Sequence, residues 1–318
     1  MVGAGPGVSV VLPVYNGAEH LRASIDSILG QSHADFELVI VDDASSDGSL
    51  DIARGYPDPR IRVLPLEHNL GLAGALNAGI EFARAPIIAR QDQDDIADPR
   101  RLERQMALLA HEPRTVLVGS FAAIIGTDEH GAWQVIGHHR HPVSDEEIRL
   151  RLLWNNPFVH SSVLFRREAF TKAGGYGTDP VLNWPEDYDL WSRMSAHGDL
   201  ANIPEELVTY RQTAGGMSDA HRERIRDGVV RIATANLAAA SGVSPADPRL
   251  PGLARVLNSV PTRTASPAVA WERMGIFLRA CNHVAPQRSA HMLAVRSRWA
   301  GKIVIRSLDP RWGSLDAA

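Results

Sequence analysis

Apolar residues in the first hundred positions of the chain follow two alternating patterns. An apolar run that is typical of a buried parallel strand covers residues 8–14, and three further segments, residues 36–41, 61–64 and 87–89, are also predicted to be strands. Apolar residues at helical spacing occupy the intervals, in residues 21–29, 50–53 and 72–82. Because strand and helix alternate, the sequence predicts an α/β fold with a parallel sheet and right-handed crossovers.

The pattern becomes less regular after residue 101 and helical after residue 218. The less regular part predicts helices over residues 102–110 and 167–173, and strands over residues 116–125 and 163–165. The last part predicts helices over residues 220–240, 267–282 and 287–307, with a proline-rich linker between the first two. We therefore expect one domain over residues 1–218 and a helical C-terminal region over residues 219–318.

Composition and charge narrow the class of protein. The net charge of −4 and the pI near 6.3 argue against nucleic acid as a partner. The single cysteine, Cys281, cannot form an internal disulfide and fits a reducing compartment. No apolar run approaches the roughly 18 residues of a membrane-spanning helix, and no secretory signal is recognisable at the N-terminus. These features predict a cytoplasmic protein.

Four short polar motifs carry the candidate chemistry. They are VVLPVYN (residues 10–16), VDDASSDGS (41–49), DQDD (92–95) and EDYDLW (186–191). The first three directly follow predicted strands, and ligands bind at that edge of an open α/β sheet. The adjacent carboxylates of the third motif are hard oxygen ligands that suit Mg²⁺ or Mn²⁺.

In this order the motifs resemble the family-2 glycosyltransferases, and the resemblance covers roughly residues 8–215. It implies a GT-A fold, which is a mixed, mainly parallel sheet flanked by helices. It also implies transfer of a sugar from a nucleotide-sugar with inversion of configuration. The nucleotide-sugar half would be residues 1–100 and the acceptor half residues 101–218. A UDP-sugar is the donor that the resemblance favours, with dTDP- and GDP-sugars open.

The resemblance assigns donor contacts to several of these residues. Tyr15, in the turn that Pro13 begins, would stack on the nucleotide base through its flat ring. Asp43 would accept a hydrogen bond from a pyrimidine base, and Gly71 would let the backbone approach the ligand closely. Arg211 is a phosphate contact. The structural alternatives are a strand-to-helix turn in which Asn16 caps the helix, and a solvated turn at the aspartates.

The resemblance also assigns the metal site to the third motif. Asp94 carries over as the ligand of Mg²⁺ or Mn²⁺, and Asp95 as a second candidate ligand. Asp92 carries over as a contact to the ribose or to a group that itself binds the metal. Thr213 stands where many relatives have a histidine, so water or phosphate oxygens would complete the metal's coordination. The alternative is an acidic, solvated turn before Pro99.

The catalytic base is expected in the fourth motif. By resemblance Asp187 deprotonates the acceptor hydroxyl as that oxygen attacks the anomeric carbon, and Glu186 orients Asp187 or contacts the acceptor. Trp184 and His160 would lie on the acceptor side. The alternatives are that the carboxylates only favour a helix N-terminus and that His160 satisfies a buried turn.

Two further segments have competing interpretations. His138, His139 and His141 lack nearby cysteine or carboxylate ligands, so a solvated loop near the acceptor opening is favoured over a zinc site. The basic amphipathic segment over residues 287–307 would pack on the catalytic domain or lie on an anionic membrane. A lipid-linked saccharide, a polysaccharide end and a small molecule are all open as acceptors, and so is a homodimer.

Two other functional classes compete with the glycosyltransferase. A sugar-nucleotide nucleotidyltransferase would show a glycine-rich, basic loop after the first strand, and Gly3, Gly5 and Gly7 precede that strand. A non-catalytic nucleotide-sugar-binding module would not need the carboxylate pair Glu186–Asp187. Release of a nucleoside diphosphate rather than pyrophosphate distinguishes the first two classes.

Overall fold

The computed structural model describes residues 5–128, 131–179, 184–212, 221–262, 265–286 and 290–309. Their dominant feature is a nine-stranded mixed sheet with the order β3-β2-β1-β4-β8-β6-β9-β5, in which β7 pairs with β6. The strands are β1 (Val8–Val14), β2 (Phe36–Asp42), β3 (Ile61–Pro65), β4 (Ile87–Arg90), β5 (Ile96–Ala97), β6 (Thr115–Thr127), β7 (Trp133–His139), β8 (Leu164–Arg166) and β9 (Asp199–Arg211).

The first four strands form the parallel part of the sheet. β1 pairs in parallel with β2 and β4, and β2 pairs in parallel with β3. Their connecting helices are α1 (Leu21–Leu29), α2 (Ser49–Arg54) and α3 (Gly71–Phe82). Both β1 and β2 are buried along their whole length, which explains why their sequences are mostly apolar. The predicted α/β pattern is confirmed here.

The second half of the sheet contains both parallel and antiparallel strand pairs. The short strand β8 pairs antiparallel with both β4 and β6, and β9 runs parallel to β6. β5 and β7 pair antiparallel with β9 and β6. The helices in this stretch of the chain are α4 (Arg101–His111), α5 (Asp145–Leu152), α6 (Arg167–Lys172) and α7 (Glu186–Met194). The sheet is therefore mixed, as predicted.

Two predictions for irregular segments were wrong. His138 and His139 do not lie in a solvated loop but in β7, opposite Ala123 and Ala122 of β6. The proline-rich linker contains a helix, which begins after the N-cap Pro248, a position that proline's fixed φ tolerates. The C-terminal helices are thus four: α8 (Arg222–Ser241), α9 (Arg249–Leu257), α10 (Pro267–Val284) and α11 (Ala290–Leu308) among the residues described.

The described residues group into two compact units. The first takes its residues from 1–143, 158–178 and 193–219, and the second from 144–157, 179–192 and 220–318. The core of the first unit is formed by β1, β2, β4 and the helices against them, with side chains such as Leu12, Ile25 and Leu38. The predicted domain boundary near residue 218 stays a prediction.

Helices α5 and α8 to α11 form the core of the second unit. Leu150 and Trp154 pack there with Leu237 and Phe277. The apolar face of α11 is used in the same core, where Trp299 meets Trp154 with ring centroids 4.9 Å apart. Contact of this face with a membrane stays a prediction, which the packing does not support.

In the described part of the chain, no helix is both long enough and apolar enough to cross a membrane.

Candidate active site

The loop after β1 is tied to the loops after β2 and β4 in the first unit. The Tyr15 N–H donates to Gln93 Oε1 (2.9 Å), and the Asn16 N–H donates to Ser45 Oγ (3.1 Å). Asn16 Oδ1 in turn accepts from the Ser46 N–H (2.8 Å). Asn16 therefore ties two loops together rather than capping α1, whose N-cap makes no side-chain hydrogen bond. These contacts bring the ends of three strands into one surface.

Tyr15 and Pro13 differ in what they offer to a ligand. The Tyr15 side chain is 50% exposed, so its ring provides a flat apolar surface at this edge of the sheet. Pro13 is buried within β1, opposite Val41, so its side chain offers no exposed surface to a ligand.

Asp43 lies at the end of β2 and is bound to the loop before α3. Its Oδ1 accepts from the Leu70 N–H (2.7 Å), and its carbonyl oxygen accepts from Asn69 Nδ2 (3.2 Å). Burial and the neighbouring Asp42 raise the pKa of Asp43, while the N–H groups of Leu70 and Gly71 act against this rise. Gly71 has a φ of 71°, a conformation that favours glycine.

Asp92 begins the acidic motif, directly beyond β4. It forms an ion pair with Arg90, the last residue of β4, whose side chain is buried. Its carbonyl oxygen accepts from Ser24 Oγ of α1 (2.7 Å). A buried arginine needs a partner of this kind, because an unpaired buried charge is costly.

Asp94 and Asp95 are neighbours in sequence with different surroundings. Asp95 is buried, and its two carboxylate oxygens accept from Ser161 Oγ and from the Arg211 N–H (2.9 Å). Asp94 is half-buried. Burial, followed by the charge of Asp92, raises the pKa of both carboxyl groups. Asp95 therefore connects the acidic motif to Arg211 of β9 and to the turn that contains Ser161. Asp94 is left as the better candidate ligand.

Arg211 ends β9 and reaches back to the acidic motif. Its Nε donates to the carbonyl oxygen of Asp94 (2.9 Å), in addition to the contact of its N–H with Asp95. The guanidinium carbon lies 4.3 Å from the centroid of the Trp133 ring. Arg211 thus places a positive charge beside the carboxylates, where a diphosphate would need one.

His160 lies in the same unit and contacts Tyr176. Its Nε2 is 2.9 Å from the Tyr176 hydroxyl oxygen. Burial, and then the charge of Arg90, lower the pKa of His160 well below its ordinary value, so the ring is neutral at pH 7. Asn77 holds the Tyr176 backbone in both directions, donating to its oxygen (2.8 Å) and accepting from its N–H (3.0 Å). Asn77 is therefore structural.

The carboxylates present here fit a divalent cation that is also bound by the phosphates of a ligand. Among the described residues, no three His, Cys, Asp or Glu side chains are grouped so that they could hold a metal by themselves. Mg²⁺ is commonly bound by only one or two carboxylates together with substrate phosphates. Asp94, half-buried beside the charge of Asp92, is a carboxylate that a cation would stabilise. Thr213 lies outside the described residues.

Trp184, Glu186 and Asp187 belong to the second unit. Asp187 lies in the first turn of α7, where its Oδ2 accepts from Asn156 Nδ2 (2.6 Å) and its Oδ1 from the Tyr188 N–H (2.7 Å). A carboxylate at this position is favoured by the helix dipole. These contacts hold the Asp187 carboxylate in one orientation.

The segment before α7 is held by α8. The Trp184 carbonyl oxygen accepts from Arg231 Nη2 (3.0 Å). A Cβ added at Gly228 would lie 1.9 Å from the same oxygen, so only glycine permits this approach. The Trp184 ring lies 5.1 Å from the Arg224 guanidinium carbon.

The side chains that hold the candidate site together were not assigned this role from the sequence. Within the first unit these are Arg90, Gln93 and Ser161, and within the second Asn156. Gln93 lies inside the DQDD motif, and Arg90 has a recognisable signal, because a charged residue ends an otherwise apolar strand. The predicted donor and metal residues converge at the same edge of the first unit's sheet. The predicted base and Trp184 lie in the second unit.

Known structures resemble this fold along nearly the whole chain. S. aureus TarS 1–349, crystallised with UDP-GlcNAc, has a TM-score of 0.58 at 15% identity and covers 94% of this chain and 89% of its own. The mannosyltransferase PcManGT from Pyrobaculum calidifontis, in complex with GDP-Man and Mn²⁺, has a TM-score of 0.56 at 19% identity and covers 99% and 89%. The fold is therefore the GT-A fold of glycosyltransferases.

Sequence comparison specifies the family. The profile described as "Glycosyl transferase family 2" matches residues 9–174. The putative glycosyltransferase EpsE of Bacillus subtilis (strain 168) is 36% identical over 226 residues, which are 70% of this chain and 77% of EpsE. The amylovoran biosynthesis glycosyltransferase AmsE of Erwinia amylovora is 36% identical over 209 residues, 64% and 75% of the two chains. The chain belongs to glycosyltransferase family 2.

Proposed function

We propose that the protein transfers a sugar from a nucleotide-sugar, a UDP-sugar by preference, to an acceptor hydroxyl with inversion at the anomeric carbon. The observation that supports this most directly is the group of Asp43, Asp92, Asp94 and Arg211 at the carboxyl edge of the sheet. Ligands of open α/β sheets bind at that edge. Family membership favours this function over a nucleotidyltransferase and over a non-catalytic binding module.

The donor contacts divide by chemistry. Tyr15 offers its half-exposed ring to the base, and Asp43 is the hydrogen-bond acceptor beside it. Arg211 offers positive charge to the diphosphate. A Mg²⁺ or Mn²⁺ ion would be held by Asp94 and the donor phosphates, and it supplies charge that stabilises the departing nucleoside diphosphate. The solved complex of PcManGT with GDP-Man and Mn²⁺ supports this assignment.

Asp187 is the proposed general base. It removes the proton of the acceptor hydroxyl while that oxygen attacks the anomeric carbon from the face opposite the diphosphate. Asn156 and the Tyr188 N–H orient its carboxylate. With one base and no carboxylate assigned as a nucleophile, the reaction is a single displacement, and single displacement inverts the configuration. Glu186 assists by orienting the base or the acceptor.

The acceptor is proposed to be a saccharide, lipid-linked or at a polysaccharide end. Relatives named for amylovoran biosynthesis and for succinoglycan biosynthesis support this choice. The latter, ExoO of Rhizobium meliloti, is 37% identical over 227 residues, which are 67% of this chain and 63% of ExoO.

A product analysis tests the proposed function. The protein is incubated with UDP-, GDP- and dTDP-sugars, Mn²⁺ and a panel of saccharide acceptors, and the released phosphate species and the new linkage are identified by NMR. We expect a nucleoside diphosphate and, from an α-linked donor, a β-linked product. Release of pyrophosphate, or a product that retains the donor configuration, would contradict the mechanism.

A further inference from the structure

Trp133, the first residue of β7, contacts the candidate donor site although no predicted motif contains it. Its ring centroid lies 4.3 Å from the guanidinium carbon of Arg211. His20 makes a T-shaped contact with the same ring, with centroids 6.0 Å apart and an angle of 82° between the planes. The indole is still 42% exposed. The large side chain of Trp133 thus lies at the surface, next to Arg211, which contacts Asp94.

Three contacts define the position of Arg211, and Trp133 supplies one of them. The Arg211 N–H and Nε donate to Asp95 Oδ1 and to the Asp94 carbonyl oxygen, both at 2.9 Å. These two bonds fix the backbone and one edge of the guanidinium. The guanidinium carbon lies over the ring of Trp133, which occupies the space on that side and so restricts the rotamers open to the Arg211 side chain. No described residue accepts a hydrogen bond from the remaining Nη groups of Arg211.

The sheet register explains why Trp133 can reach Arg211. On β6, Ile125 is paired with Arg211 of β9 on one side, and Thr127, two residues further, is paired with Trp133 of β7 on the other. Residues two apart on a strand point to the same face, so the two partners lie on one face of the sheet with β6 between them, a separation that two long side chains can span.

His20 contacts Trp133 without adding a positive charge beside Arg211. Burial, and then the positive charge of Arg211, lower the pKa of His20, while Glu19 acts in the opposite direction. A neutral imidazole beside the Trp133 ring adds no charge that would repel the guanidinium.

We propose that Trp133 is a positioning residue for donor binding: by stacking on Arg211, it orients the Nη groups of that arginine towards the diphosphate of the donor. This inference rests on the proposed function, because it takes the ligand of Arg211 to be a nucleoside diphosphate. A long arginine side chain loses rotamer freedom when it binds a phosphate, and a stacked guanidinium has less freedom to lose.

Calorimetry of UDP binding with Mn²⁺ tests the proposal. Trp133→Ala is expected to weaken UDP binding about three- to tenfold, the range of a partly exposed cation–π contact. Trp133→Phe should restore most of this loss, because a phenyl ring still covers the guanidinium face. Val135→Ala is the matched control, since Val135 lies on the same strand and is 58% exposed. In turnover, the donor KM should rise and the acceptor KM should stay unchanged.

A double-mutant cycle separates positioning from general stability. In an Arg211→Ala background, Trp133→Ala should have no further effect on UDP binding. The same loss in both backgrounds would overturn the proposal. So would a loss in Val135→Ala equal to that in Trp133→Ala.

A ligand-free measurement keeps the inference separate from the proposed function. The Arg211 Nε–H signal in ¹⁵N NMR should be sharp in the wild type and in Val135→Ala, and broadened or lost in Trp133→Ala. If wild type binds neither UDP, GDP nor dTDP with Mn²⁺, the proposed function fails. An Arg211 signal that is identical in all three proteins overturns the role of Trp133.

Discussion

Individual carboxylates in this protein differ because of what surrounds them. Asp95 has both oxygens engaged by Ser161 and the Arg211 N–H, whereas Asp94 is half-buried beside the charge of Asp92. Adjacent residues can therefore serve structure and ligand binding separately.

Asp94→Ala should abolish the tightening of nucleotide binding by Mn²⁺. The physical reason is that the cation loses its protein carboxylate and is held by phosphate and water alone. Calorimetry with and without Mn²⁺ measures the effect, and Asp98→Ala is the control, because Asp98 contacts Arg100 instead. If the mutant still binds nucleotide more tightly with Mn²⁺, Asp94 is not the ligand.

Asp187→Asn should lower turnover by about 10² to 10⁴ while leaving donor affinity nearly unchanged. Asparagine keeps the size of the side chain but lacks a basic carboxylate. Glu186→Gln should have a milder effect, and Asp189→Asn, one residue beyond Tyr188 on α7, serves as the control. Initial rates and donor calorimetry are the measurements. A mutant with near wild-type turnover would mean that another group removes the proton, and His160 would be tested next.

At the scale of elements, one buried carboxylate joins three segments of the parallel sheet. Glu37 of β2 accepts through Oε1 from Ser9 Oγ of β1 (2.6 Å) and from the Arg84 N–H beyond α3 (2.6 Å). Its Oε2 accepts from Arg62 Nη1 of β3 (3.0 Å). Burial acts to raise the pKa of Glu37, but these hydrogen bonds outweigh it, and the pKa is lowered.

The stability contributed by Glu37 should depend on pH. Because the folded pKa is lowered, the contribution is present above the pKa of the unfolded chain and is lost as pH falls through the folded value. Glu37→Gln should therefore reduce the free energy of unfolding by about 1–3 kcal/mol at pH 7, because the neutral amide of the glutamine would face the Arg62 guanidinium in place of a carboxylate. The difference from wild type should shrink below about pH 4. Urea unfolding between pH 3 and 7 measures it, and a difference independent of pH would contradict the assignment.

At the scale of the whole molecule, the chain passes between its two compact units more than once. The second unit combines the C-terminal helices with residues 144–157 and the described part of residues 179–192. Within it, Leu150, Leu153 and Trp154 pack against α8, α9 and α10. The C-terminal helices therefore complete a core that begins much earlier in the chain.

Truncation after residue 218 should destabilise the protein. Removing α8 to α11 would expose Leu150, Leu153 and Trp154, which are buried in the full chain. We expect a lower Tm, binding of a hydrophobic dye and aggregation. Truncation after residue 309 is the control, since it keeps all four helices. A monomeric 1–218 fragment with an unchanged Tm would support residues 1–218 as an independent domain.

The sequence predicted those features that depend on local patterns. The strands β1, β2 and β4 are recognisable because they are buried on both faces, and the polar motifs follow them at the edge where parallel strands end. The mixed sheet came from the family resemblance, because a short strand such as β8, although predicted over residues 163–165, carries no signal of its direction in the sheet. The histidines of β7 were misread as a loop, since an exposed edge strand has no apolar alternation.

What the sequence by itself determined is therefore the order of the elements, the family, and the set of candidate residues. Only the tertiary structure decided how these residues are held. The hydrogen bond of Ser161 to Asp95 and the contact of Trp133 with Arg211 join residues that are far apart in the chain. Gly228 in α8 looks like an unfavourable helix residue until its approach to the Trp184 carbonyl is seen. Such contacts follow from strand register and helix packing, and no local pattern of residue types encodes either.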